Sequence, residues 1–330
     1  MTTRAVWLRR ELDRAETSND GTLLPSFFPI LNADRGPGLE VGTSFEKAFL
    51  AHYAAIRELL NAHEEQGLGL VAAGPDGLEA SVWFVAKPDE ANPLILGRHS
   101  SAEVFLPSDP ALSLRHLAVI LHRQGVGSPV RFRVLDLRTP NGFQDERGRS
   151  LEALASEGPL MIRCASFAVM MFPTGGGNPP WPEDPHQAWA RVPERLYTAA
   201  RVAGEEGMPK DAPWVWHTGS ELELADPGAA TLVPSFPGPT FASRDLAASD
   251  TPRGELLVGT GAGKAALRLG ALAAAQGVLL GRYERCDTAG IPGFSDGALS
   301  RVHLLVIDLD GALYAVDTAS TNGSWLGSES

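Results

Sequence analysis

The sequence predicts a mainly β fold: two β-sandwiches joined by a Pro/Gly/Trp-rich linker, with an amphipathic helix near the N-terminus. Three observations carry this reading. Gly 35 and Pro 25 in 330 residues make a turn-rich composition. Short β-rich runs, separated by Gly, Pro, Asp and Asn, recur over 78–173 and again from Gly254 onward. Apolar residues hold a clear helical spacing near the N-terminus, over 44–66. A chain of this length accommodates about two domains, each with its own core.

Residues 1–68 form a preamble that contains the helix. Thr43 precedes Glu46 at capping-box spacing, and Phe45, Phe49, Tyr53, Ile56, Leu59 and Leu60 make one apolar stripe up to Gly67. A stripe of this kind is a packing face. Residues 69–175 are the first sandwich, with strands expected at Ala80 to Ala86, Leu94 to Leu96, Leu117 to Leu121, Val130 to Leu137 and Leu160 to Phe172. Residues 176–250 read as linker, opening near Gly175-Gly176-Gly177-Asn178-Pro179-Pro180-Trp181, with a short helix expected around Val192 to Glu205. Its Trp181, Trp189, Trp214 and Trp216 are expected to pack against the sandwiches. Residues 251–330 are the second sandwich.

An internal repeat supports a duplicated unit. Val6-Trp7 precedes Thr22-Leu23-Leu24-Pro25-Ser26-Phe27 at the same spacing as Val215-Trp216 precedes Thr231-Leu232-Val233-Pro234-Ser235-Phe236.

Composition narrows the functional classes. Lys+Arg 28 against Asp+Glu 40 gives a net charge of −12, so the mean field repels nucleic acid, and no nucleic-acid partner is expected. Cys164 and Cys286 stand far apart, which excludes a disulfide scaffold or thiolate zinc site and fits a reducing, cytoplasmic setting. The charged N-terminus lacks an apolar core, so no secretory signal is expected. The apolar run from Ala165 to Phe172 is too short to span a bilayer, so no membrane insertion is expected.

The chemistry sits in three blocks of the C-terminal part: Leu280-Gly281-Arg282, Leu299-Ser300-Arg301-Val302-His303, and Ser320-Thr321-Asn322-Gly323. Converging loops with these residues offer guanidinium, hydroxyl and amide donors to one tetrahedral anion. They contain no nucleophile or base, so the set holds a phosphate and cleaves nothing.

Their order and spacing resemble the forkhead-associated (FHA) domain, a β-sandwich that binds phosphothreonine peptides. The resemblance implies two FHA-like β-sandwiches and gives each residue a role. Arg282 would contact the phosphate, Ser300 would donate its hydroxyl, and Arg301 would flank it. Thr321 and Asn322 would hold the peptide backbone, while Gly281, His303 and Gly323 would be structural. The first half carries a degenerate copy: Leu96-Gly97-Arg98, Ser113-Leu114-Arg115-His116 and Pro140-Asn141-Gly142. There Arg98, Ser113 and Asn141 match, but Leu114 stands where Arg301 does and Pro140 where Thr321 does. Phosphate recognition in that copy is expected to be reduced or lost.

Only Ser324 to Ser330 follow Gly323, so another segment is expected to cover the open sheet edge: residues 1–40, residues 215–245, or a second chain in a homodimer.

Other motifs carry less. Gly259-Thr260-Gly261-Ala262-Gly263-Lys264 resembles a phosphate loop, but Val258 and Ala265 stand where Gly and Ser or Thr are needed, so it reads as a strand-connecting turn. His52, His63, His122, His186 and His217 are isolated and expected at the surface or in loops; no metal site, cofactor or catalytic residue is expected. The resulting expectation is a non-enzymatic signalling adaptor whose partner is a phosphothreonine-containing protein or a Ser/Thr kinase. The alternative is a phosphate-independent interaction scaffold built from the same sandwiches.

Overall fold

The structure, a computed structural model, describes residues 6–8, 27–29, 36–40, 42–122, 125, 127–175, 177, 179–199, 230–236, 238, 239, 251–260, 263–291, 294, 297 and 299–324. The fold is mainly β. In chain order its elements begin with β1 (Val6–Leu8), β2 (Phe27–Pro29), α1 (Phe45–Ala51), α2 (Tyr53–Asn61), β3 (Gly67–Gly74) and β4 (Gly77–Val85). Next come β5 (Ala91–Gly97), β6 (Val104–Phe105), β7 (Leu117–His122), β8 (Arg131–Asp136), β9 (Phe143–Gln144) and β10 (Ser150–Leu151). They are followed by β11 (Ala153–Ser156), β12 (Leu160–Cys164), β13 (Phe167–Thr174), α3 (Pro185–Arg191), β14 (Glu194–Ala199) and β15 (Ala230–Phe236). The last are β16 (Pro252–Thr260), β17 (Gly263–Gly270), α4 (Ala271–Gln276), β18 (Val278–Leu280), β19 (Leu304–Leu309) and β20 (Ala312–Asp317).

These strands stack in layers. Sheet one orders as β10-β9-β12-β13-β3-β4-β2, and sheet two as β14-β15-β11-β8-β7-β5-β6. Their inner faces form the sandwich core, with Leu70, Phe84 and Val169 from sheet one against Leu96, Val119 and Phe132 from sheet two. Sheet three, β1-β20-β19-β18, lies on the outer face of sheet two. There Ile95, Ala118 and Ile120 meet Leu305, Ile307 and Val316. The β16–β17 hairpin covers the far side of sheet three through Leu267 and Leu269 against Val278 and Val306. Helices α1, α2 and α3 cover the outer face of sheet one, where Phe49, Ile56 and Ala188 pack on Val71, Met170 and Phe172.

Side-chain alternation explains this stacking. Along β7, Leu117, Val119 and Leu121 enter the sandwich core, while Ala118 and Ile120 face sheet three. A strand buried on both faces has no polar side, and its sequence reads as an unbroken apolar run.

Several sequence expectations shift in detail. The helix expected over 44–66 is two, because His52 leaves helical geometry (φ −112, ψ 15) between α1 and α2. Its N-cap is Ser44, whose Oγ accepts from the Lys47 N–H, one residue past the expected Thr43. In the expected linker, the helix falls earlier, at Pro185–Arg191, where Asp184 caps it and Pro185 fits the first turn. Val192 then turns extended (ψ 114), and β14 pairs in parallel with β15, which pairs with β11. The middle of the chain therefore extends sheet two. Residues 200–205 of that expected helix lie outside the described residues, as do Trp214, Trp216, His217 and most of the repeated preamble. Trp181 and Trp189 pack on Phe49, with ring centroids 6.2 and 5.2 Å away.

Of the described parts of the repeat, Val6-Trp7 in β1 pairs with β20, whereas Phe27 in β2 and Thr231 to Phe236 in β15 pair into opposite sheets of the same sandwich. The glycine run at 259–264 joins β16 to β17, with Gly259 opposite Lys264. His52 and His122, expected at the surface, are buried; His122 ends the doubly covered β7 and lies 3.2 Å from Asp310.

The outer edge of β20 is covered by β1, with Val6 paired in parallel to Tyr314 and Leu8 to Val316. An uncovered edge presents unpaired N–H and C=O groups to other chains. Removal of residues 1–8 is therefore expected to raise self-association, read by light scattering. A variant as monodisperse as the parent would show that β20 needs no such cover.

Candidate functional site

Two loop clusters are built by the same set of local contacts. In the first, Gly97 ends β5, and a Cβ there would stand 2.3 Å from the Leu114 carbonyl oxygen. Only glycine lets these loops close. His116 then ties the other two loops together: its Nδ1 accepts from the Ser113 N–H at 3.1 Å, and its Nε2 meets the Gly142 carbonyl at 2.7 Å. A neutral imidazole protonated at Nε2 satisfies both contacts, and burial lowers the His116 pKa in keeping with that state.

The turn after β8 is held by Asp136, which accepts from the Thr139 N–H at 3.1 Å and from Thr139 Oγ1 at 2.6 Å. Arg138 and Gly142 adopt left-handed backbone, φ +57 and +56. Burial outweighs the Thr139 bonds and pushes the Asp136 carboxyl up to about 6.

The second cluster repeats this scheme. A Cβ at Gly281 would stand 2.2 Å from the Arg301 carbonyl oxygen. The Ser300 N–H donates to His303 Nδ1 at 3.2 Å, and Asp317 accepts from the Ser320 N–H and hydroxyl at 2.7 and 2.6 Å. Ala319 and Gly323 hold φ +61 and +73. Arg98 and Arg282 also match: their Nε atoms donate to the Leu112 and Leu299 carbonyls, at 2.5 and 2.8 Å.

The clusters part at the serine. Ser300 is buried, and its Oγ accepts from the Thr321 N–H at 2.9 Å and from the Arg115 guanidinium at 3.3 Å. It also meets Thr321 Oγ1 at 3.4 Å. Arg115, itself buried, sends two further donors to the Ala319 carbonyl, at 3.0 and 2.6 Å. The first half thus anchors itself on the serine loop of the second. Arg138 makes a second tie, an ion pair with buried Asp287 at 3.2 Å and a bond to the Pro239 carbonyl at 2.6 Å.

A cavity of about 410 Å³ opens at the first cluster, beside this seam. Arg98, Ser113 and Asn141 line it, as do Leu114, Arg115 and Arg138. From the second half come Tyr283, Arg301 and Val302. Four arginines and no carboxylate line the cavity, in a chain of net charge −12. Asn141 is fixed by its Nδ2 donating to the Ala111 carbonyl at 2.8 Å.

The sequence-predicted residues therefore divide. Arg98, Ser113 and Asn141, assigned to the weaker copy, share the cavity with Arg301, assigned to the stronger one. Ser300 and Thr321 bond to each other near the seam, while Arg282 and Asn322 are exposed outside the cavity lining. Arg115 and Arg138 went unassigned in the sequence. The basic residue beside the bracing His116 was the available signal for Arg115, but its target, a backbone carbonyl, has none.

No family model matches the sequence, and no curated protein does. Among solved structures, the first FHA domain of Mycobacterium tuberculosis Rv1747 is 18% identical, covering 33% of this chain and 98% of its own, at a TM-score of 0.24. The FHA domain of Chlamydia trachomatis CT664 is 16% identical, with 32% and 96% coverage and a TM-score of 0.25. The yeast Dun1 FHA domain, solved with a doubly phosphorylated peptide, is 17% identical, with 37% and 84% coverage and a TM-score of 0.28. Similarity at this level leaves the site to be judged on its own geometry.

Gly97→Ala is expected to force the Leu114 loop apart and cost roughly 1–3 kcal/mol, measured by chemical denaturation. Unchanged stability would mean that the close approach is dispensable. Asp136 gives a pH signature. Its pKa is raised in the fold, to about 6, so its contribution is greatest below the unfolded value of 3.8 and is lost as pH rises through 6. Going from pH 7 to pH 5 should favour the parent over Asp136→Asn by about 1 kcal/mol in thermal unfolding. Parallel pH profiles for the two proteins would contradict the shift.

Proposed function

We propose that this chain is a non-enzymatic phosphothreonine-peptide-binding adaptor made of two FHA-like units in tandem, acting in the cytoplasm downstream of a Ser/Thr kinase. The observation that carries the reading is the 410 Å³ cavity lined by four arginines without a carboxylate. A phosphate carrying about −1.5 to −2 charge suits such a lining. Arg98 supplies forked donors beyond the one spent on Leu112, Ser113 supplies a hydroxyl with no partner among the described residues, and Asn141 stands ready for the peptide backbone. A few charge-assisted bonds at roughly 1.5–3 kcal/mol each are enough for micromolar affinity.

In this reading the phosphate goes to the first cluster. The second, with Arg282, Ser300, Thr321 and Asn322, has its serine hydroxyl committed to Arg115 and Thr321. That commitment also favours a second reading for the second unit, as a docking partner that needs no phosphate.

Arg98→Ala should weaken binding of a phosphothreonine-peptide pool by tenfold or more in fluorescence titration, with the fold retained by circular dichroism. Partner capture that survives both phosphatase treatment and Arg98→Ala would favour the phosphate-independent scaffold.

A further inference from the structure

We infer that the phosphate pocket is shared between the halves: Arg301, carried by the second, supplies the cation that the first lacks at Leu114. The inference rests on the proposed phosphopeptide reading and adds a residue and a dependence to it.

Leu114 and Arg301 hold the same place in the two loops. Their carbonyls accept from the His99 and Tyr283 N–H groups, both at 2.9 Å, and each crowds the glycine of its own cluster. Yet both line one cavity. The docking turns the second loop toward the first, so the arginine missing from one half is offered by the other. Leu114 is 42% exposed, an apolar side chain at the mouth of a basic cavity, and contributes no donor.

Two of the other three cations are already engaged. Arg138 is paired with Asp287, and Arg115 is spent on the Ala319 carbonyl and Ser300. Arg98 is near Asp109, a carboxylate outside the lining whose pKa it helps to lower. Arg301 is exposed, and its guanidinium makes no hydrogen bond or ion pair with the described residues. A guanidinium left in this state at a cavity without carboxylates is available to a dianionic phosphoryl group.

Two consequences follow. The first half alone should bind phosphate weakly, since it owns only Arg98 among the uncommitted cations. Ligand binding and docking of the halves are also linked, because a ligand that bridges both stabilises the docked arrangement.

The test uses the full chain and the tightest-binding member of a phosphothreonine-peptide pool, titrated beside its unphosphorylated twin. Arg301→Ala should weaken binding roughly ten- to a hundredfold. Adding Leu114→Arg to Arg301→Ala should restore most of it, because the new guanidinium enters the same cavity from the other wall. Loss in Arg98→Ala but parental affinity in Arg301→Ala would overturn the shared pocket and leave the phosphopeptide reading intact. Failure of Leu114→Arg to rescue would also overturn it, since Arg301 would then act by some means other than its charge in the cavity. A parent that never prefers the phosphorylated peptide would remove the reading and the inference together.

Discussion

Leu117-Ala118-Val119-Ile120-Leu121 offers water no polar side, so whatever covers one face of sheet two, something else must cover the other. Sheet one takes the first face, and sheet three takes the second. Alanines at 91, 102, 118, 153 and 155 leave the second face low, which suits close approach by the larger Leu305, Ile307 and Tyr314. Because this contact is apolar and non-directional, it fixes that the halves meet but not their alignment. Directional bonds from Arg115 and Arg138 set the alignment. The position of Arg301 beside the first cluster is a product of both.

The charge distribution follows from this arrangement. A chain that is acidic overall collects four arginines along one seam, two of them locked onto the opposite half. Locking has a cost that the partners offset: Arg138 faces a carboxylate, whereas Arg115 has a carbonyl and a hydroxyl. Replacing either would remove a tie between halves and one source of positive potential at the cavity. Stability and the positive potential at the cavity are therefore coupled along this seam.

Much of the local design was legible in the sequence. Gly97 and Gly281 were found because a carbonyl approach at 2.3 or 2.2 Å permits no other residue, and such positions leave a fixed letter in a fixed block. His116 and His303 each sit three residues after a serine whose N–H they accept, a spacing that the sequence displays. The contacts between the clusters were less legible. Counting donors favoured the second copy, but Ser300 is occupied by an arginine from a distant part of the chain, and composition within a block carries no trace of that. Similarly, β14 and β15 hide among prolines and glycines because their strand character depends on pairing with each other and with β11.

The parallel pairing of β1 with β20 ties Val6 to Tyr314, close to the two extremes of the sequence. During synthesis the first of these strands leaves the ribosome long before its neighbour exists. At roughly 5–20 residues per second, that interval is on the order of tens of seconds. Most of the central sandwich has no such delay, since β3 to β13 follow one another in the chain. The third sheet therefore closes last, and until it does the apolar outer face of β7 and β8 lacks the cover that Leu305, Ile307 and Val316 bring to it.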